Sequence, residues 1–299
     1  MTARRPRHRA VTRGLLRRMP LPSLHSDDDK ESRGRVLVVG GSMLVPGAVL
    51  LAGVAALRAG AGKLQLATVR TAAPGLALAV PEALVVPLPQ ARTGEIAGTG
   101  AASELREYAG GADALLIGPG MGDGPAARTL LAALVRLIGD DATLVLDGAG
   151  VVALGDEPSM LASLGGRVVL TPHAGEMASL LGLDKRDVQA DPAAAATQAA
   201  ELFSAVVALK GADTWIAAPD GALLRYDGGS VGLGTSGSGD TLAGIVTGLA
   251  ARGAAPLTAA AWGVWAHGSA GRILARRMAA VGFLARELLA EVPALVGSR

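Results

Sequence analysis

The sequence predicts an α/β protein in which a mostly parallel sheet is covered by helices on both faces, giving three layers. Short runs rich in Val, Leu and Ile alternate along the chain with segments of helical periodicity. Runs such as 35–39, 114–117 and 206–209 are apolar throughout, as strands buried on both faces are. Such alternation of strands and helices favours right-handed crossovers and a parallel sheet.

Composition narrows the classes of protein that this chain can belong to. The 299 residues are 50% hydrophobic and only 2% aromatic, so the core must be built from Ala, Val and Leu. A formal net charge of +2 gives no case for a nucleic-acid surface across the fold. The absence of cysteine excludes disulfides, thiolate catalysis and cysteine metal sites, which fits a reducing cytoplasm.

A membrane helix is not expected. The stretch 36–57 carries no charge and is long enough to span a bilayer. However, Gly40-Gly41-Ser42 and Pro46-Gly47 divide it into a strand, a loop and a helix. The N-terminus has no apolar core or cleavage-site pattern, so no signal peptide is predicted.

Residues 1–33 are expected to form a flexible basic lead-in before a single domain at 34–299. Their arginines are crowded into the first eighteen positions: Arg4, Arg5, Arg7, Arg9, Arg13, Arg17 and Arg18. Contact with nucleic acid or acidic lipid is conceivable for such a segment, but a solvated tail is the commoner explanation.

The first half of the domain is predicted to consist of five strands and two helices joined by loops. Strands are predicted at 35–39, 64–69, 84–87, 114–117 and 143–146, and helices at 48–57 and 126–138. Gly60 ends the first helix. The fourth strand is followed by Gly118-Pro119-Gly120-Met121-Gly122, which is either a tight turn or a backbone that lies against a flat ligand.

The second half continues the alternation and contains one hairpin. Strands are predicted at 168–170 and 206–209, with a short helix after Glu176 and an Ala-rich helix at 193–204. Pro219-Asp220-Gly221 between two β-rich runs, 215–218 and 222–226, predicts a hairpin. Helices are then expected from 241 to Gly253, at 257–275 and at 282–291. Trp262, Trp265 and His267 on the second of these are interpreted as core.

Five polar or glycine-rich loops follow strands and are predicted to share one edge of the sheet, where ligands of open α/β sheets bind. They lie at 40–48, 118–122, 147–150, 171–176 and 210–214. His173 on such a loop is more often near a ligand than structural. Lys210 ends a buried strand and needs an anionic partner, for which we favour a phosphate. Glu176 has a simpler explanation as a first-turn carboxylate favoured by the helix dipole.

The most informative stretch is Gly237-Ser238-Gly239-Asp240, followed at once by an apolar helix whose residues Leu242, Ile245, Val246 and Leu249 predict one buried face. The free N–H groups at a helix start form an anion site, and glycines allow a phosphate to approach closely. We name residues 237–239 the amide cup. A carboxylate beside it is best used as a base for a hydroxyl that attacks phosphorus.

Two simpler interpretations of this stretch stay open. It could be a flexible connection with Asp240 as an N-cap. Gly232, Gly234 and Gly237 also match the dinucleotide fingerprint, but no acidic residue lies about 20 positions further on. The Walker motif is absent, because no Gly-Lys-Ser/Thr occurs.

Six motifs together resemble the ADP-dependent (S)-NAD(P)H-hydrate dehydratase family of the ribokinase-like superfamily, over about residues 34–295. In chain order they are Gly-Arg-Val-Leu-Val-Val-Gly-Gly-Ser from Gly34, Pro46-Gly47-Ala48, Gly118-Pro119-Gly120-Met121-Gly122, Thr171-Pro172-His173-Ala174-Gly175-Glu176, Lys210-Gly211-Ala212-Asp213-Thr214 and Gly237-Ser238-Gly239-Asp240. The last motif alone would fit any ribokinase-like kinase, whereas the whole set is far more specific.

The resemblance implies a ribokinase-like fold and repair of hydrated NADH and NADPH, with ADP as phosphoryl donor and Mg²⁺ on its phosphates through ligands that the sequence does not reveal. Asp240 would be the catalytic base and also touch substrate. The nucleotide would be held by Lys210, Gly211, Ala212, Asp213, Thr214, Gly237, Ser238 and Gly239. The hydrated nicotinamide nucleotide would be held by Ala48, Gly120, Gly122, His173 and Asp147.

The family pattern also bears on partners. Its usual epimerase domain is missing here, so a stand-alone dehydratase is expected, cooperating with an epimerase on a separate chain and assembling as a homo-oligomer, a tetramer. After Asp147 the family commonly has Ala-Asp-Ala-Leu, but this chain has Gly148-Ala149-Gly150-Val151 and lacks the second carboxylate.

Two rival functions stay open at this point. A ribokinase-like kinase of a small hydroxyalkyl heterocycle, of the thiamin-precursor type, would share the last motif. A nucleotide sensor without catalysis would share the fold, but it has little use for a carboxylate that faces phosphate.

Overall fold

The computed structural model describes residues 8–23, 25 and 27–297, and its elements follow the predicted alternation. The strands are β1 (Arg9–Ala10), β2 (Arg35–Val39), β3 (Lys63–Val69), β4 (Ala83–Leu88), β5 (Ala114–Ile117), β6 (Thr143–Leu146), β7 (Val168–Leu170), β8 (Val206–Leu209), β9 (Thr214–Ala217) and β10 (Leu223–Tyr226). The helices are α1 (Arg13–Arg17), α2 (Gly47–Arg58), α3 (Ala73–Ala79), α4 (Gly98–Glu104), α5 (Arg106–Gly110), α6 (Pro125–Val135), α7 (Ala149–Val152), α8 (Ala174–Leu181), α9 (Lys185–Ala190), α10 (Pro192–Phe203), α11 (Ser238–Ala251), α12 (Pro256–Arg277) and α13 (Ala285–Val296), with 3₁₀ turns at Pro158–Leu164 and Val231–Leu233.

All ten strands form one sheet in the order β1-β10-β9-β8-β7-β6-β5-β2-β3-β4. The seven strands from β8 to β4 in this order pair in parallel. Strand β9 is antiparallel to both of its neighbours, as the predicted hairpin requires. The predicted α/β class with a mostly parallel sheet is therefore confirmed, and the carboxyl ends of β2, β5, β6, β7 and β8 meet along one edge.

The core lies on both faces of the sheet because the central strands are buried on both sides. Every residue of β5, β6, β7 and β8 is buried. One apolar cluster packs against α2, α11 and α12, and the other packs against α6, α8 and α10. The sheet with a helical layer on each face makes the predicted three layers.

Helix α11 is buried more completely than its periodicity predicted. We expected one buried face, but twelve of its fourteen residues are buried. Gly244 and Gly248 explain why, since a side chain at either position would collide with the backbone of α2 at Ala52 or Ala56. The two helices pack backbone to backbone, which fixes the start of α11 relative to the sheet edge.

The flexible lead-in expected over 1–33 is wrong for residues 9–19. β1 adds to the sheet beside β10, and α1 buries Leu15 and Leu16, each 1% exposed, against the core. Trp262 Nε1 donates to the carbonyl of Met19 at 2.7 Å, which ties the end of this segment to α12. Burial of two adjacent leucines and pairing with the edge strand β10 thus order this segment in spite of its many arginines. Arg4, Arg5 and Arg7 lie outside the described residues.

The stretch flagged by hydropathy, 36–57, divides into β2, a loop and α2, as predicted. Within the described ranges, no helix combines the length and the apolar character needed to cross a bilayer. The last helix starts three residues later than predicted and continues through Pro293 to Val296.

Candidate active site

An ion pair joins the ends of two strands at the ligand edge of the sheet. Lys210, which follows β8, places Nζ 2.6 Å from Oδ1 of Asp147, which follows β6. Thr171, at the end of the intervening β7, donates its hydroxyl to the same oxygen at 2.8 Å. The Asp147 carboxylate is almost fully buried, so this pairing is what makes its burial tolerable.

Lys210 was predicted to need an anion, and the structure supplies a carboxylate where we favoured a phosphate. Burial by itself lowers the pKa of Lys210, but the attraction of Asp147, then of Glu176 and Asp240, outweighs burial and leaves the pKa above its usual value. The lysine is therefore a fixed positive charge among three carboxylates.

The amide cup lies at the start of α11, with Gly237 as N-cap in the left-handed region at φ +86°. The first N–H groups of a helix have no partner inside the helix. The N–H of Ser238 is bound to the carbonyl of Thr235 at 3.2 Å, so it is not the free donor we predicted. The amides of Gly239 and Asp240, in the first turn of α11, are the helix-start donors without a backbone acceptor among the described residues.

Gly239 brings the cup against the ion pair. A β-carbon at this position would lie 3.2 Å from Nζ of Lys210 and 3.9 Å from Oδ2 of Asp147. The second oxygen of Asp147 thus faces the cup, while the first is held by Lys210 and Thr171. Glycine keeps this space open for a ligand.

Asp240, in the first turn of α11, is the carboxylate with the most altered acidity. Burial first, then repulsion from Asp147 and from Glu176, raises its pKa to about 6, although Lys210 opposes the change. The group therefore changes protonation close to neutral pH, as a general base should.

His267 was interpreted as core and proves to be part of the site. Its Nε2 lies 2.9 Å from Oγ of Ser238, the middle residue of the cup. Burial lowers the pKa of His267 to about 4, with a backbone contact to Ser238 opposing it, so the ring is neutral. A histidine on an otherwise apolar helix was the only signal that the sequence gave.

A cavity of about 730 Å³ opens beside the cup. Its walls come from the cup, from the loop after β8 and from one face of α12, and they include Lys210, Gly211, Ala212, Thr214, Ser238, Gly239 and His267. Six of the eight residues predicted to hold the nucleotide therefore line one space. Asp213 does not line it and is engaged elsewhere, since its carboxylate binds Arg225 at 2.5 Å and 3.0 Å.

The residues predicted to hold substrate fall into two groups along the edge. Gly120, at φ +67°, approaches Ala48 so closely that a β-carbon at 120 would lie 2.8 Å from Cβ of Ala48. Gly122 lies next to them in the same loop and donates its N–H to Oε2 of Glu95 at 2.8 Å, a partner that the sequence did not reveal. Gly120 and Gly122 belong to the loop after β5, and Ala48 lies in the first turn of α2, the helix that follows β2.

His173 lies further along, at the start of α8. Its Nδ1 accepts the N–H groups of Gly175 and Glu176, each at 3.0 Å, so the ring proton belongs on Nε2. That atom lies 3.3 Å from Oε1 of Glu176. Glu176 is the first-turn carboxylate we predicted, and its other oxygen accepts the N–H of His173 at 2.8 Å. The exposed ring borders the cavity beside the cup.

The position of the missing second carboxylate is occupied by a small buried residue. Ala149, which stands at its position in the family pattern, is buried in α7. Gly150 next to it touches the carbonyl of Ile117, where any side chain would collide. In this chain α7 is packed onto the end of β5, and Asp147 alone supplies the carboxylate of this loop.

The described residues contain no cluster of three or more acidic, histidine or cysteine side chains arranged to hold a metal. Mg²⁺ in phosphoryl-transfer sites needs only one or two carboxylates, because phosphates and water fill the other positions. The free Oδ2 of Asp147, next to the cup, matches that requirement. The donor set fits a nucleotide-bound magnesium ion.

A parallel sheet with an amide cup, a raised-pKa aspartate beside it and an adjoining cavity defines a ribokinase-like enzyme that uses a nucleotide. A family model for NAD(P)H-hydrate dehydratase matches residues 36–294. The chain belongs to this family.

Known proteins agree with this assignment. The ADP-dependent (S)-NAD(P)H-hydrate dehydratase of Xanthomonas campestris is 55% identical over 97% of both chains. The bifunctional NAD(P)H-hydrate repair enzyme of Moorella thermoacetica is 39% identical over 92% of this chain but only 52% of its own. The ADP/ATP-dependent NAD(P)H-hydrate dehydratase of Bacillus subtilis, co-crystallised with ATP and Mg²⁺, superposes with a TM-score of 0.80 at 26% identity, covering 96% of this chain and 97% of that one.

Proposed function

We propose that this protein dehydrates (S)-NADH hydrate and (S)-NADPH hydrate to NADH and NADPH, using ADP and releasing AMP and phosphate. The observation that carries this proposal is the position of Asp240, whose pKa of about 6 suits a base, in the first turn of the helix that forms the amide cup. Family membership supports the substrate, since the 55% identical relative from Xanthomonas campestris bears this activity in its name.

The chemistry runs in two stages. Asp240 takes the proton of the ring hydroxyl, whose oxygen then bonds to the β-phosphorus of ADP while the bond to AMP breaks. The C–O bond to the new phosphate then breaks, the departing phosphate takes a proton from the neighbouring ring carbon, and the electrons of that C–H bond restore the double bond. Phosphorylation is useful because phosphate is a far better leaving group than hydroxide.

The cup acts through fixed dipoles. The amides of Gly239 and Asp240 and the N-terminal end of α11 stabilise negative charge on the migrating phosphoryl group without any rearrangement. Lys210 adds a positive charge, because its Nζ lies 3.2 Å from the position that a β-carbon would take at Gly239. The ion pair with Asp147 keeps the lysine in place. These groups hold and orient, and only Asp240 accepts a proton.

The cavity of about 730 Å³ is proposed to receive ADP, with its phosphates at Gly237, Ser238 and Gly239 and its nucleoside against the loop 210–214 and α12. Ala48, Gly120, Gly122 and His173 are proposed to bind the hydrated dinucleotide. Asp147 would supply its free Oδ2 to Mg²⁺, which, when bound, would neutralise charge on the nucleotide phosphates.

The oligomeric state, the cellular compartment and the partner enzyme are proposed on separate grounds. Leu44 is 80% exposed beside Met43 and Val45, just before Ala48, and such an apolar loop favours burial in a homo-oligomer, which we propose is a tetramer. We further propose a cytoplasmic enzyme that works with an NAD(P)H-hydrate epimerase on another chain. Relatives named bifunctional repair enzymes, of which this chain matches about half, support a functional link of that kind.

The activity is tested by incubating the purified protein with ADP, Mg²⁺ and freshly hydrated NADH. We expect the absorbance of reduced nicotinamide to return in step with release of AMP and phosphate. A stable phosphorylated product with no recovery of NADH would select the kinase interpretation instead. Binding of ADP without any turnover would select the sensor.

A further inference from the structure

A second cavity, of about 540 Å³, lies on the other side of the loop that follows β8. It shares His173, Lys210, Gly211 and Ala212 with the cavity proposed for ADP. Its remaining walls come from the start of α8, from α9, from the start of α10, from the strands β8 and β9, and from Asp213 between those strands. The amide cup and α12 do not contribute to it, so it is a separate compartment with one common wall.

We propose that this cavity binds the adenosine half of the dinucleotide substrate and that Lys185 recognises the 2′-phosphate that distinguishes NADPH hydrate from NADH hydrate. The inference rests on the proposed function. It adds a subsite for the part of the substrate that takes no part in the chemistry and names the residue that sets the preference between the two hydrates.

The order of strands along the edge gives the direction in which the substrate must lie. The predicted ring-binding residues Ala48 and Gly120 follow β2 and β5, His173 follows β7, and the second cavity begins beside β8. Three strand spacings of about 4.8 Å separate β5 from β8, or roughly 14 Å in all. A molecule that starts at Ala48 and passes His173 therefore arrives at this cavity.

The composition of the walls fits a nucleoside. Trp215, Leu209 and Val188 supply flat and apolar surface, and Gln189 supplies an amide on the turn of α9 next to Lys185. Arg225 lies 5.6 Å from the centre of the Trp215 ring, and the ring of His8 packs against it edge to face at 4.9 Å. The part of Trp215 that lines the cavity is the surface open to a base. Base rings bind to surfaces of this kind, where a few polar groups fix their orientation.

The charges favour a phosphate at Lys185 in particular. Of the charged residues that line this cavity, Lys210 is paired with Asp147 and Asp213 is paired with Arg225. No carboxylate lies within ion-pairing distance of Lys185 in the part of the chain that the structure describes. A lysine ammonium group binds phosphate as a point charge. The adenosine of NADH hydrate has no 2′-phosphate and therefore cannot make this contact.

The test compares kcat/KM for the two hydrates in Lys185→Ala, with Arg186→Ala as the matched control, because Arg186 is exposed on the same helix but does not line the cavity. We expect Lys185→Ala to raise the KM for NADPH hydrate about tenfold and to leave NADH hydrate, kcat and the KM for ADP within about twofold. Arg186→Ala should change none of these.

Three outcomes would overturn the subsite. Equal loss for both hydrates would show that Lys185 does not read the 2′-phosphate. A raised KM for ADP would place the nucleotide donor in this cavity. Unchanged kinetics would show that the cavity is not used by the substrate. Failure of the unmodified protein to dehydrate either hydrate would instead refute the proposed function.

Discussion

Lys210 and Asp147 form a 2.6 Å ion pair that closes the gap between β8 and β6 across the end of β7. The pair holds the positive charge of Lys210 next to the amide cup. The carboxylates of Glu176 and Asp240 also attract this charge and help to raise the pKa of Lys210. Stability and phosphate binding therefore depend on the same lysine.

Lys210→Met should be costly on both counts. It leaves the buried Asp147 carboxylate unpaired, and breaking such a pair typically costs about 3–5 kcal/mol. The midpoint of thermal unfolding should fall, and the KM for ADP should rise. Adding Asp147→Asn to this variant should recover part of the lost stability. The exposed pair of Arg277 with Glu291 is the control, since Arg277→Met should cost about 0–1 kcal/mol. A Lys210→Met protein as stable as that control would contradict a structural role for the pair.

Two glycines of the cup should respond differently to alanine. Gly237 has φ +86°, and a side chain there would collide with Leu51, so Gly237→Ala should lower the free energy of unfolding. Gly239 is helical, and its β-carbon would meet Lys210 Nζ at 3.2 Å, Asp147 Oδ2 at 3.9 Å and the ligand space. Gly239→Ala should therefore weaken ADP binding with little loss of stability. Scanning calorimetry measures the loss of stability, and titration calorimetry measures the affinity for ADP. An unchanged ADP affinity in Gly239→Ala would argue against phosphate binding at the cup.

His267 and Ser238 should contribute cooperatively to the affinity for ADP. The neutral ring and the hydroxyl are 2.9 Å apart and both border the cavity. His267→Gln keeps a hydrogen-bonding group and should retain more ADP affinity than His267→Ala. In a double-mutant cycle with Ser238→Ala, we expect a coupling of about 0.5–3 kcal/mol in ADP binding. Additive effects would mean that the histidine serves packing alone.

Acidity should affect activity and stability in opposite directions through Asp240. Its pKa of about 6 means that kcat/KM should fall as the pH drops below that value, because the base becomes protonated. The folded pKa lies above the unfolded value, so the stabilising contribution of the protonated group is complete below about pH 4 and is lost as the pH rises through about 6. Asp240→Asn should therefore unfold at a higher temperature than the unmodified protein at pH 8.

That advantage should vanish near pH 4. Asp140→Asn is a suitable control, since Asp140 is exposed and distant from the edge in the loop before β6. A pH-independent difference between Asp240→Asn and the unmodified protein would show that the charge of Asp240 does not oppose folding.

The sheet was predictable because fully apolar strands and helical periodicity are local signals. The ligand edge was predictable too, since polar loops after parallel strands must meet there. The docked segment at Arg9–Met19 was missed because its two buried leucines lie among arginines, and its binding places, the edge of β10 and the surface of α12, form only in the folded protein.

The details of the site depended on contacts between distant parts of the chain. Lys210 lies 63 positions from Asp147, and Ser238 lies 29 from His267, so no local pattern paired them. The burial of α11 on all sides came from the close approach of α2 at Gly244 and Gly248, which sequence periodicity does not report. Residue types were readable in advance, whereas their partners were not.

The most direct test of the mechanism is one pair of measurements on Asp240→Asn: turnover of hydrated NADH with ADP, and the dissociation constant for ADP. We expect kcat to fall by about 10²–10⁴, because the amide is not a base, and ADP to bind equally well or more tightly, because a negative charge beside the cup is gone. Turnover within about twofold of the unmodified enzyme would contradict the assignment of Asp240 as the base.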